Sequence, residues 1–243
     1  MSLVAAGLAG SAAGVEVQIT IFMIGDSTMA NKPVKDAHPE RGWGQILPVY
    51  FKEVIRIDNH AMNGRSSKSF IDEGRWAVVR ERLKPGDYVI IQFAHNDQKE
   101  NDPARFTEPF RAYRQNLERF VDEARSRQGL PILATPLVRR RFDPQGNFYD
   151  LHGDYPKAVR QVAAERNVPL LDLHKKSEEL LKQFGPEASK KLYLWIRPGE
   201  FARLPAGLED DTHFSACGAS RVCDLAVEEV MIRIPALAQW LRD

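Results

Sequence analysis

Short apolar runs alternating with helical periods restrict this chain more than anything else in it. Val17 to Ile24 (VQITIFMI) is nearly continuous and stops at Gly25, and Tyr88 to Phe93 (YVIIQF) stops at Ala94-His95-Asn96-Asp97. Such runs belong to strands covered on both faces, the condition of a central parallel sheet. Val54–Asn59, Pro131–Thr135 and Pro169–Asp172 read as further strands. Between them the spacing predicts helices over Trp43–Lys52, Phe106–Arg127 (ending at Gly129), Tyr155–Arg166, His174–Phe184 and residues 215–231. Strictly alternating strand and helix predicts an α/β protein: a three-layer α/β/α sandwich around a parallel sheet of about five strands. Leu137–Asp150 and Lys191–Asp210 read as long irregular segments, a length usually kept for function.

Composition narrows the class. Lys and Arg number 34 against 33 Asp and Glu, a net charge of +1, which excludes a nucleic-acid binder built on a basic excess. The triplet Arg139-Arg140-Arg141 reads as a solvated loop rather than a binding patch. No apolar run is long enough to cross a membrane. Residues 1–15 are small and weakly apolar, and read as a signal-peptide remnant or as residues foreign to the natural chain; residues 16–243 read as one domain. Cys217 and Cys223, six apart on a helix, point to different faces and read as buried free thiols. Two cysteines, and His38, His60, His152 and His174 without ligand spacing, predict no metal site, and no cofactor is expected.

In an open parallel sheet, ligands bind beyond the carboxyl ends of the strands. Gly25-Asp26-Ser27-Thr28 follows strand one, Asn63-Gly64-Arg65-Ser66 follows strand two, and His95-Asn96-Asp97 follows strand three. Asp210-Asp211-Thr212-His213 precedes the last helix. Ser27 is a candidate nucleophile, or else a helix N-cap. His213 is a candidate base, because a serine hydroxyl attacks well only when an imidazole takes its proton. Asp210 could orient that imidazole, with Asp211 a competing carboxylate. Gly64 and Asn96 could donate to an oxyanion, or serve simply as turn residues.

A serine, a glycine, an asparagine and a histidine in this order resemble the SGNH (GDSL-type) hydrolase superfamily. Within it, Ile24-Gly25-Asp26-Ser27-Thr28, Gly42-Trp43-Gly44, Asn63-Gly64-Arg65-Ser66-Ser67, His95-Asn96-Asp97 and Asp211-Thr212-His213-Phe214-Ser215 resemble the rhamnogalacturonan acetylesterases. The resemblance implies a flavodoxin-like SGNH hydrolase fold. It also implies a serine esterase with Ser27, Asp210 and His213 as catalytic residues and Ser27, Gly64 and Asn96 as the oxyanion hole. One departure stands out: the family's Gly-x-Asn-Asp block carries Ala94 in place of glycine.

The implied substrate is an acetylated pectic polysaccharide or oligosaccharide, with acetylated xylan second. Secretion or a periplasmic location, and a monomer, are expected. Arg65, His95 and Trp195 are candidate substrate-binding residues, with Phe201 a further aromatic for stacking on sugar; each could equally be structural. A non-catalytic glycan-binding module and a sugar O-acetyltransferase remain as alternatives.

Overall fold

The computed structural model describes residues 18–35 and 38–242; residues 1–15 lie outside the described part of the chain. Its five-stranded sheet is parallel throughout, in the order β2-β1-β3-β4-β5. The strands are β1 Ile19–Gly25, β2 Ile55–Asn59, β3 Tyr88–Gln92, β4 Leu130–Ala134 and β5 Leu170–Leu171. Strand order reverses between β1 and β3, so the crevice at their carboxyl ends is the topological switch point.

Alternation along each strand divides the core in two. Ile21, Met23, Ile90 and Ile132 face one layer, and Phe22, Ile24, Val89, Ile91 and Leu133 the other. The first layer is covered by α1 (Trp43–Ile46), α6 (Leu173–Ala188), α7 (Ala216–Arg233) and α8 (Pro235–Ala238). The second is covered by α2 (Ser67–Asp72), α3 (Arg75–Arg82), α4 (Arg114–Ser126) and α5 (Tyr155–Glu165). At roughly 1.5–3 kcal/mol for each fully buried large apolar side chain, these two layers supply the main driving force for the fold.

Several elements differ from their expected form. The first helix stops at Ile46 and continues as a 3₁₀ turn to Tyr50, because Pro48 has no N–H to continue the α-helical ladder. The helix expected from Phe106 starts at Pro109 with a wide π-type turn. It ends in a Schellman motif whose left-handed residue is Gln128 (φ 59°), not Gly129: Gln128 N–H donates to Arg125 O and Gly129 N–H to Ala124 O. Helices α2 and α3 were not expected; Ser66 and Ser69 cap α2 reciprocally.

The largest correction concerns Lys191–Asp210. It contributes to an antiparallel hairpin of β6 (Tyr193–Ile196) and β7 (Leu208–Phe214), separate from the main sheet. Both thiols are free, but Cys217 is exposed and only Cys223 is buried.

Candidate active site

Gly25 ends β1 where a Cβ would come within 2.7 Å of the Gln92 carbonyl, so the chain can turn beside β3 only with glycine there. The turn is fixed by Asp26, which is fully buried. Its Oδ1 accepts from the Thr28 N–H (2.9 Å) and hydroxyl (2.8 Å), and its Oδ2 lies 3.2 Å from His95 Nδ1. Burial would raise this carboxyl; His95 and the Thr28 donors outweigh it and hold the pKa at about 2. Ser27 caps no helix, since it lies within a turn. Its Oγ instead lies 2.8 Å from His213 Nε2.

His213 owes its position to an irregularity in the hairpin. Leu194 pairs with Asp210 but Tyr193 pairs with Phe214, so β7 makes an excursion of Asp211, Thr212 and His213 opposite one step of β6. Asp210 Oδ1 accepts from the backbone N–H of Thr212 (2.7 Å) and of His213 (3.0 Å), which folds the excursion into a turn. The other oxygen, Oδ2, then lies 2.7 Å from His213 Nδ1. Asp210 is partly buried, which raises its carboxyl, but His213 and the two N–H donors bring the pKa down to about 2.

Asp211 points elsewhere. It receives Arg140 Nη1 at 2.8 Å, Arg141 Nη1 at 3.1 Å and Trp195 Nε1 at 2.8 Å. The arginine triplet is therefore not the solvated loop expected: Arg140 is buried and Arg139 donates to the His95 carbonyl. These contacts tie the hairpin to the loop after β4.

The loops after β2 and β3 are joined by Asn96, whose Nδ2 donates to Arg65 O at 3.0 Å. A primary amide has a second N–H to offer. Gly64, beside it, has φ 76°, a conformation that strains any other residue. Asp97, also buried, accepts from the Ser67 N–H and hydroxyl and the Thr107 hydroxyl, fixing α2 against the following loop. Burial pushes its carboxyl up to about 7 against those donors. Ala94 is held at φ 148°, where glycine is at ease and alanine is not.

The three candidate sugar contacts have different surroundings. Arg65 binds Glu73 through Nε and the Asn63 carbonyl through Nη1. His95 is buried behind the Asp26–Thr28 turn against Asp26. The Trp195 ring carries Arg140 at 4.7 Å and Lys190 at 4.4 Å, and with Phe201 and His38 it lines a cavity of about 540 Å³ on the hairpin's flank. One juxtaposition had no signal in sequence: His152 and His174 both reach Asp150, and the His152 ring packs edge-on against His95, centroids 4.8 Å apart.

Residues 23–221 match the family model described as GDSL-like Lipase/Acylhydrolase. The chain belongs to that family. Its relatives include the rhamnogalacturonan acetylesterase RhgT of Bacillus subtilis (strain 168), 42% identical over 87% of this chain and 89% of that protein. The probable rhamnogalacturonan acetylesterase YesY of the same organism is 36% identical over 86% of this chain and 91% of that protein. Among solved structures, Bacillus subtilis YxiM superposes with a TM-score of 0.75 at 26% identity, covering 88% of this chain and 56% of that one. A catalytic mutant of the acetylxylan esterase Axe2 of Geobacillus stearothermophilus shares the fold (TM-score 0.62, 19% identity, 87% of this chain and 94% of that one). As a GDSL-like acylhydrolase, this protein is a carboxylic ester hydrolase with an α/β fold.

Proposed function

We propose that this protein is a serine acetylesterase that removes O-acetyl groups from rhamnogalacturonan, using Ser27, His213 and Asp210. The observation that carries the proposal is the unbroken line from Asp210 Oδ2 through His213 to Ser27 Oγ, with steps of 2.7 and 2.8 Å. A glycan-binding module has no use for such a line.

In the proposed reaction Ser27 Oγ attacks the acetyl carbonyl while His213 Nε2 takes the hydroxyl proton. Asp210 holds the proton on Nδ1 and stabilises the imidazolium. The Ser27 N–H, the Gly64 N–H and the Asn96 amide donate to the tetrahedral oxyanion. Collapse breaks the bond to the sugar oxygen, which leaves with the proton from His213. Water, deprotonated by the same histidine, then attacks the acetyl-serine; the bond to Ser27 Oγ breaks, His213 returns the proton to Oγ, and acetate leaves.

The substrate rests on the two relatives named as rhamnogalacturonan acetylesterases. Acetylated xylan is the second candidate. A polymer does not cross a membrane intact, so we place the protein outside the cytoplasm; no helix among the described residues is long and apolar enough to span a bilayer. The test is acetate release from acetylated rhamnogalacturonan and acetylated xylan by wild type and Ser27→Ala. The pectic polymer is expected to be preferred, and Ser27→Ala to lower kcat by about 10⁶-fold. Preference for xylan would overturn the substrate, and an active Ser27→Ala variant the mechanism. Acetyl transfer to a second sugar in preference to water would make the protein a transferase.

A further inference from the structure

Asp150, His152 and His174 come from the end of the loop after β4 and from the first turn of α6. Their nearest ligating atoms lie within 4.8 Å of one another. His152 Nδ1 is 3.0 Å from Asp150 Oδ1, and His174 Nε2 is 3.1 Å from the same oxygen. The second of these is off the line that a hydrogen bond needs, so His174 Nε2 is buried with no aligned hydrogen bond of its own. The His152 side chain is fully buried and that of His174 is 9% exposed, while Asp150 keeps 26% of its side chain open to solvent.

We propose that Asp150, His152 and His174 form a binding site for a divalent transition-metal ion of the Zn²⁺ type. Two imidazoles and one carboxylate form the donor set that suits Zn²⁺, Co²⁺ or Ni²⁺; Ca²⁺ and Mg²⁺ prefer oxygen throughout. One ion between the three atoms uses both ring nitrogens and the carboxylate oxygen together. A hydrogen-bonded clasp leaves His174 unsatisfied.

The backbone that carries the donors is fixed: Asp150 Oδ2 accepts from the His152 backbone N–H at 3.0 Å, and the His174 backbone N–H donates to Thr135 Oγ1 at 2.8 Å. Three protein donors leave a fourth position, reached past the exposed edge of Asp150, for water. The ion would clamp the Arg139–Arg141 loop to α6, and through Asp211 steady the hairpin that carries His213. This assignment is independent of the proposed substrate.

The experiment adds Co²⁺ to metal-stripped full-length wild type, followed by its visible ligand-field bands, and then displaces it with Zn²⁺. One equivalent is expected to bind, with Zn²⁺ raising Tm by about 5 °C or more at a hundredfold excess over Kd. Asp150→Asn and His174→Gln are each expected to weaken binding by more than about 100-fold, since losing even an outer partner costs 10–100-fold. Asp150 is partly exposed, so its variant is expected to fold, with far-UV circular dichroism as the check. Absence of cobalt bands in wild type overturns the site whatever the variants do. Bands unchanged in both variants overturn it too, because the ion would then sit elsewhere.

Discussion

Replacing Asp210 by Asn isolates what this carboxylate does. The two substituents differ by little in shape, so the turn of Asp211–His213 survives. Its Oδ1 position must still accept from the Thr212 and His213 N–H groups, at 2.7 and 3.0 Å. The carbonyl of the new amide is therefore held on that side, and its NH₂ faces His213 Nδ1, 2.7 Å from the present Oδ2. Nδ1 must then accept. The ring proton moves to Nε2, which now donates to Ser27 Oγ and is no longer free to take its proton. A correctly placed imidazole in the wrong tautomer costs about 10⁴-fold in kcat. That loss corresponds to about 5.4 kcal/mol at 1.36 kcal/mol per factor of ten. The assay is hydrolysis of a small acetate ester at neutral pH, with Tm recorded for each variant. kcat is expected to fall about 10⁴-fold with little change in KM or Tm. Asp211→Asn serves as the control and is expected to retain activity within about tenfold, because Asp211 contacts Arg140, Arg141 and Trp195. If Asp210→Asn stays within tenfold of wild type while Asp211→Asn loses the large factor, the tautomer argument is wrong and Asp211 orients the base.

In α7 a Cβ at Gly218 would lie 1.8 Å from the Leu192 carbonyl oxygen. Gly218→Ala is expected to destabilise by about 3 kcal/mol or more, because two backbones must separate; an unchanged midpoint in urea would refute it. For acid stability, Asp26 and Asp210 both have folded pKa values of about 2 against an ordinary 3.8. Folded values below unfolded ones mean that their contribution is complete above about pH 4 and disappears as pH falls towards 2. Each contributes at most roughly 2.5 kcal/mol at 1.36 kcal/mol per unit. Asp97, held up at about 7, works the other way over this range. The readout is therefore a difference: between pH 5 and pH 2.5 urea unfolding of wild type is expected to lose more stability than that of Asp210→Asn, and an identical change in the variant would exclude Asp210 as a source.

The main sheet was legible because its strands are covered on both faces, so Tyr88–Gln92 is apolar at nearly every position. Strand β7 was hidden for the opposite reason. Its LEDDTHF carries the polar side chains of the site, and no period of two survives. Ser27, Gly64, Asn96 and His213 could be ordered by the strand they follow or the helix they precede. The choice between Asp210 and Asp211 could not, since it depends on an excursion of three residues visible only in the pairing with β6. Nor could Asp150 and His174 be linked, as 24 positions separate them in the chain. The Ala94 departure was visible as a motif mismatch, but its backbone conformation was not.

The position of the Asp211–His213 excursion also bears on how the molecule is made. The two ends of the Ser27–His213 contact are 186 residues apart; Ser27 follows a strand of the main sheet and His213 lies in the separate hairpin. Closing so large a loop carries a high entropic cost that local pairing does not share. The parallel sheet can therefore assemble, burying the layer under α2, α3, α4 and α5, before the hairpin docks. Circular dichroism and the fluorescence of Trp76 would then recover early in a refolding experiment, and ester hydrolysis late. During synthesis Ser27 leaves the ribosome first and His213 long after it, so a nascent chain that has already collapsed still lacks the Ser27–His213 contact.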